Sequence, residues 1–120
     1  MIRKIECVSV FTRDIAASAA FYASLGMQQA WRIDRPTANG QVSLIGLKFP
    51  DATGSELVLS DNAEVPMTEV ELLCDDVRAT RAELADRPGI NWIREPFPTE
   101  SGHVAVMEAP DGNVFVLVGA

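Results

Sequence analysis

An internal repeat is the feature that most constrains what this chain can fold into. When the sequence is shifted by 62 positions, residues 7–24 align with residues 69–86 without a gap, and five of the eighteen pairs are identical. Each half also shows the same order of patterns: a strand, an acidic cap, a helix and three further strands. We therefore predict one domain, residues 1–120, built from a module 1–62 and a module 63–120, each with the order βαβββ.

The first module opens with a strand that leads into a helix. Residues 5–12 are rich in β-branched and aromatic side chains, which is typical of a buried strand. Asp14 supplies a capping oxygen, the alanine-rich residues 15–25 predict a helix, and Gly26 is typical of a helix end. Three strands are predicted to follow, near residues 27–33, 41–49 and 55–60.

The second module repeats these signals. Residues 69–74 predict a strand, Asp75 and Asp76 provide the cap, and residues 77–87 predict a helix that the following Pro-Gly pair ends. Three strands are predicted to follow, near residues 90–95, 103–108 and 113–119. The proline-containing segment 94–102 is interpreted as a surface connection that could also serve as a lid.

Composition limits the partners that such a domain can have. Ten basic and seventeen acidic residues give a net charge of −7, so the surface repels phosphate, and we expect neither nucleic acid nor a membrane as a partner. The first residues lack the apolar core of a signal peptide, so we expect a cytoplasmic protein. Cys7 and Cys74 match no metal or disulfide motif, and His103 is the single histidine.

Two stretches resemble the vicinal oxygen chelate superfamily, which contains glyoxalase I, bleomycin-resistance proteins and extradiol dioxygenases. Residues 12–27 resemble its signature of an aspartate, a helix, Phe-Tyr and Leu-Gly, and residues 109–118 resemble its Pro-Asp-Gly-Asn hairpin before the last strand. The resemblance implies an α+β fold in which two βαβββ modules form a half-open, curved mixed sheet with the helices on the convex side. The concave side would then be a cup for a small molecule.

The resemblance also implies where a divalent metal would bind. Family enzymes take ligands, usually histidine, glutamate or glutamine, from the first and last strands of each module. Those positions hold Cys7, Glu69, Val116 and, at the end of the first module, either Glu56 or Val58. Because valine cannot bind a metal, we expect no cofactor. A divalent metal held by Cys7, Glu56 and Glu69 is the alternative.

The positions that the resemblance implies, together with strand alternation, aromatic character and titration near neutral pH, select the candidate ligand-binding residues. These candidates are Cys7, Ser9, Phe11, Trp31, Val58, Glu69, Trp92, Phe97, His103 and Val116. Glu56 and Glu69 are also candidate catalytic carboxylates, because a partly buried carboxyl group can take part in acid–base chemistry.

These observations favour a protein of the glyoxalase and bleomycin-resistance type that binds a small, mostly apolar molecule without the metal. The alternative is an atypical metal-dependent lyase or isomerase of the glyoxalase type, so whether the chain is an enzyme stays open. Family members often build their cups across a two-fold interface, and the resemblance therefore implies a homodimer.

Overall fold

The computed structural model describes residues 1–50 and 53–120, which form eight strands and two helices in the order of two βαβββ modules. This arrangement confirms the predicted α+β class. The elements in chain order are β1 (Ile2–Phe11), α1 (Ile15–Ser24), β2 (Gln28–Thr37), β3 (Gly40–Lys48), β4 (Glu56–Ser60), β5 (Glu69–Cys74), α2 (Val77–Glu83), β6 (Asn91–Thr99), β7 (Gly102–Glu108) and β8 (Val114–Gly119). Neither helix has the length and hydropathy that crossing a membrane requires.

The described chain divides into two compact units, which we call unit A (residues 7–68) and unit B (residues 1–6 with 69–120). Strand β1 contributes to both, because its first residues belong to unit B and the rest to unit A. The predicted module boundary at residue 62 lies a few residues before the boundary of the units. That the whole chain is a single domain stays a prediction.

Hydrogen bonding orders the strands β2-β3-β4-β1-β5-β8-β7-β6. In each module the first strand pairs in parallel with the last strand, β1 with β4 and β5 with β8. The remaining pairs within the modules, β2 with β3, β3 with β4, β6 with β7 and β7 with β8, are antiparallel.

In unit A, helix α1 covers one face of the strands. Asp14 caps the helix as predicted, because its carboxylate accepts a hydrogen bond from the Ala17 backbone N–H at 3.0 Å. Beneath the helix, Ile45, Leu47 and Leu59 form a buried cluster. Just after the end of the helix, Gly26 has a φ of +103°, a backbone conformation that glycine adopts without strain. Apolar side chains that pack on this cluster are Val10, Ile15, Ala19, Tyr22, Met27 and Leu57.

Unit B repeats the arrangement with helix α2. Its cap, Asp76, accepts a hydrogen bond from the Ala79 backbone N–H at 3.0 Å, as predicted. Leu117 and Val77 are fully buried between the helix and the strands. Apolar burial of this kind supplies most of the stability of a small domain.

Strand β6 corrects the interpretation of residues 94–102. These residues do not form a connection or a lid, because Asn91–Thr99 is a strand that pairs with β7. Pro96 and Pro98 are tolerated there because β6 is the edge strand, where a missing backbone N–H leaves no neighbour without a partner. Helix α2 is also shorter than predicted and ends at Glu83, because the next backbone N–H groups bond carbonyls three residues back: that of Ala85 bonds Ala82 at 3.3 Å, and that of Arg87 bonds Leu84 at 3.1 Å.

Leu59→Ala and Leu117→Ala are expected to destabilise the protein by similar amounts. Both leucines are 0% exposed, and each is central to the cluster beneath its own helix. Truncating a buried leucine costs about 2–5 kcal/mol, because apolar contacts are lost and a cavity remains. Urea unfolding measures the change, with Leu25→Ala as the control because Leu25 is 54% exposed. A loss in either core variant no greater than in the control contradicts the assignment of that core.

Candidate functional site

The face of unit A that points away from helix α1 carries most of the first-module candidates. Register pairs Cys7 with Glu56 and Ser9 with Val58 across the parallel strands β1 and β4. Because these residues alternate with the helix-facing Val10, they share the opposite face. We call this surface the helix-free face of unit A. It consists of Cys7, Ser9, Phe11, Trp31, Gly46, Glu56 and Val58.

Trp31 lies directly against the backbone of strand β3. It pairs in register with Gly46, and a Cβ atom added at Gly46 would lie 2.2 Å from both Cε2 and Nε1 of the indole. No side chain fits in that space, so the close approach of the ring requires glycine at this position. The sequence reasoning did not select Gly46, although an isolated glycine inside a predicted strand is the signal that marks such an approach.

The indole of Trp31 is also fixed through its nitrogen. The Nε1–H of Trp31 donates a hydrogen bond to Oε2 of Glu56 at 2.9 Å. Both side chains are half-buried. The ring is therefore held on one side by the backbone of Gly46 and at its nitrogen by a carboxylate, which leaves it little freedom to change rotamer.

Beside this pair, the face is closely packed and mostly apolar. Cys7 and Val58 are each 2% exposed, and Ser9 is 7% exposed. Phe11 lies further along β1 and is half-buried. A small molecule that contacts this face would therefore meet chiefly its half-buried side chains, the rings of Phe11 and Trp31 and the carboxylate of Glu56.

The corresponding face of unit B carries the second-module candidates. Glu71 pairs in register with Val116, and both alternate with residues that pack against α2. Glu69 shares the parity of Glu71 and is half-buried. Burial raises the pKa of the Glu69 carboxyl above its ordinary value, and the negative charge of Glu71 raises that pKa further.

Phe97 lies on the same face of unit B as Val116. It pairs with Val104, which in turn pairs with Val118. The guanidinium of Arg94 lies 4.3 Å from the centroid of the Phe97 ring. Arg94 is a residue that the sequence reasoning missed, because a β-bulge between Trp92 and Arg94 determines which way it faces.

Trp92 and His103 lie on the other face of unit B, where α2 packs. Trp92 contacts the buried cluster beneath the helix, and the guanidinium of Arg81 lies 4.3 Å from the centroid of its ring. Arg81 also donates hydrogen bonds to Glu95 through two nitrogens, so this arginine joins helix α2 to the edge strand β6. His103 shares its parity with the buried Ala105. The structure therefore separates these two residues from the other candidates in unit B.

Register also settles which residue of β4 corresponds to Val116. Ser9 pairs with Val58 as Glu71 pairs with Val116, and Glu71 follows Ser9 by the repeat distance of 62. Val58 is therefore the counterpart of Val116, and Glu56 belongs to the preceding position.

The residues present do not fit the divalent metal that the family resemblance implies. The last-strand positions hold buried valines, Val58 and Val116, which have no donor atom. Glu56 is engaged by the indole N–H of Trp31. Within residues 1–50 and 53–120, no three or more histidine, cysteine, aspartate or glutamate side chains are grouped so that they could hold a metal ion.

Glu69→Gln is expected to raise the melting temperature at neutral pH, and the gain should vanish in acid. Because the pKa of Glu69 is raised in the folded state, the folded protein binds this proton more tightly than the unfolded chain does. At a pH above the ordinary pKa of 4.5, ionisation of Glu69 therefore costs the folded state stability. At a pH below 4.5, Glu69 is protonated in both the folded and the unfolded state, so this cost disappears. Melting curves from pH 4 to pH 8 test this, with the exposed Glu83→Gln as the charge-matched control. A gain that does not depend on pH contradicts it.

Gly46→Ala is expected to displace Trp31 and break its bond to Glu56. The added Cβ would lie 2.2 Å from the indole nitrogen, so the ring must move. The indole N–H resonance of Trp31 in a nitrogen-15 correlation spectrum, assigned with Trp31→Phe, should shift towards that of Glu56→Leu, which lacks the acceptor. The Trp92 resonance is the internal control. An unmoved Trp31 signal contradicts the close approach.

Comparisons with known proteins agree with this architecture. The family model of the Glyoxalase/Bleomycin resistance protein/Dioxygenase superfamily matches residues 4–117. The uncharacterized protein YwbC of Bacillus subtilis (strain 168) is 32% identical over an alignment 121 residues long, which covers 93% of this chain and 94% of YwbC.

Solved structures share the fold at low sequence identity. A crystal structure described as an NAD-dependent benzaldehyde dehydrogenase from Legionella pneumophila matches with a TM-score of 0.66 and 21% identity, covering 92% of this chain and 95% of that one. A glyoxalase/bleomycin resistance protein/dioxygenase superfamily member from Vibrio splendidus 12B01 matches with a TM-score of 0.65 and 16% identity over 100% of both chains. Such identities show the fold alone. With the family model matching nearly its whole length, this chain belongs to the Glyoxalase/Bleomycin resistance protein/Dioxygenase superfamily.

Proposed function

We propose that this chain is a binding protein that holds a small, mostly apolar molecule and does so without the divalent metal of its family. The observation that carries the proposal is the pair of buried valines, Val58 and Val116, at equivalent last-strand positions. The family resemblance implies metal ligands at these last-strand positions, and valine offers no donor atom.

The helix-free face of unit A supports the second half of the proposal. Small-molecule sites are mostly apolar and contain a few polar groups in fixed positions. Phe11 and Trp31 supply half-buried aromatic rings on the face that also contains the buried Cys7 and Val58. Glu56 is the fixed polar group, held by the indole N–H at 2.9 Å. We place the ligand on this face, with Glu56 able to meet a polar or charged part of it.

The expected oligomeric state stays a prediction. The family resemblance implies a homodimer, and unit A exposes apolar side chains at Phe21, Leu25 and Phe49, which are 58%, 54% and 48% exposed. Exposed apolar residues of this size are compatible with a protein interface. The net charge of −7 supports the expectation that neither nucleic acid nor an anionic membrane is the partner.

Metal analysis of the protein, purified without chelators, is the decisive experiment. We expect less than about 0.1 equivalent of any transition metal, and no rise in melting temperature on addition of zinc, nickel or manganese, because a metal that binds only the folded state must stabilise it. Val58→Glu with Val116→Glu is the matched variant, since it places carboxylates at both last-strand positions.

Two results would contradict the proposal. One is a stoichiometric metal in the wild-type protein that is lost in Glu69→Ala or Cys7→Ala. The other is turnover of a methylglyoxal–thiol adduct by the metal-loaded protein, which would favour the lyase or isomerase alternative. Melting curves of each variant establish that any loss of metal is not a loss of folding.

A further inference from the structure

We propose that Trp31 and Glu56 together bind a tertiary or quaternary ammonium group on a small organic ligand. This inference rests on the proposed function, because it names the class of molecule that the helix-free face of unit A would hold. Its basis is the placement of one half-buried carboxylate against one half-buried indole.

The carboxylate of Glu56 has a hydrogen bond but no opposite charge. Its Oε2 accepts from the neutral indole N–H, and no ion pair between residues of the described chain involves Glu56. Lys48 is near in register, because the preceding residue, Leu47, pairs with Leu57. Lys48 nevertheless takes part in none of these ion pairs. Removing a carboxylate from water without a cation is costly. A positively charged ligand would offset that cost.

The indole selects for a particular kind of cation. An ammonium group near an aromatic ring is attracted by the ring quadrupole, and tryptophan gives the strongest attraction of this type. Gly46 and Glu56 hold the ring in place before any ligand arrives, so little conformational freedom is lost on binding. A rigid indole beside a carboxylate therefore suits an alkylated ammonium group, which is weakly hydrated and has a large apolar surface.

The surroundings of the pair do not suit direct coordination of an inorganic divalent cation. Calcium and magnesium need several oxygen ligands, whereas the buried neighbours on this face are Cys7, Ser9 and Val58. An organic cation with an apolar body can use both parts of the face. The net charge of −7 also raises the local concentration of cations around the whole chain.

Binding of defined probes to the purified, full-length protein tests this inference. Benzyltrimethylammonium carries a cation and an apolar body. Choline and 3,3-dimethylbutan-1-ol differ only in the replacement of the charged nitrogen by carbon. We expect calorimetry to show that benzyltrimethylammonium binds and that choline binds about tenfold or more tightly than its neutral isostere. Benzyltrimethylammonium should also shift the indole N–H resonance of Trp31 and leave that of Trp92 in place.

Three variants separate the contributions of charge and ring. Glu56→Gln keeps an acceptor for the indole N–H but removes the charge, and we expect it to weaken benzyltrimethylammonium binding about tenfold. Trp31→Phe keeps a smaller ring and should weaken binding several-fold. Glu83→Gln removes the same charge from an exposed position on α2 and should bind the probe as the wild-type protein does.

Three outcomes overturn the inference: equal affinity for choline and its isostere, wild-type affinity in Glu56→Gln, or no binding of any ammonium probe. The comparison of isosteres uses the wild-type protein, so it decides the matter even if a variant does not fold. Binding of neutral apolar molecules by a metal-free protein would then leave the proposed function standing. A stoichiometric metal would instead overturn the proposed function, and the ammonium measurements would still test this inference separately.

Discussion

The parallel pairing of the first and last strands in each module is the constraint on which the rest of the structure depends. It fixes Cys7 opposite Glu56 and Ser9 opposite Val58, and through them the residues that share a face. A slip of one residue would turn each of these side chains to the helix side and bring helix-facing leucines out. Such a slip would cost free energy, because it would remove Leu59 from the cluster beneath α1, where it is fully buried.

That constraint explains why the helix-free face of unit A carries aromatic and charged side chains, whereas the face beneath α1 is an apolar core. Side chains beneath α1 must fill space, so they are leucine, isoleucine and valine. The opposite face carries no such demand from the helix. There a glycine, Gly46, leaves room for an indole, and the indole in turn holds the Glu56 carboxylate. The three residues therefore form one structural group, in which the glycine admits the ring and the ring contacts the carboxylate.

Much of the architecture could be predicted from the sequence because it depends on local signals. Asp14 and Asp76 identified both helix starts, since capping needs only a short side chain at the right offset. Alternation along β1 predicted that Cys7, Ser9 and Phe11 share one face, and the intervening Val10 packs on the cluster beneath α1.

The remaining features depend on irregular pairing that no local pattern reveals. A β-bulge occupies the same place in β2 and β6, but Trp31 follows it and Trp92 precedes it. Two tryptophans on corresponding strands therefore face opposite ways. The strand character of residues 94–99 was missed for a similar reason, since prolines are compatible with pairing only because β6 lies at an edge.

The division of strand β1 between the two units has a consequence for how the halves of this chain could ever be separated. Residues 1–6 belong with the second half, where the Met1 carbonyl accepts from the Asp75 backbone N–H and Arg3 bonds the Asp75 carboxylate. Cutting the chain between the repeats would leave the second fragment without the strand segment that completes it. The repeat seen in the sequence therefore does not coincide with the two compact units, because residues 1–6 precede the first copy and belong with the second.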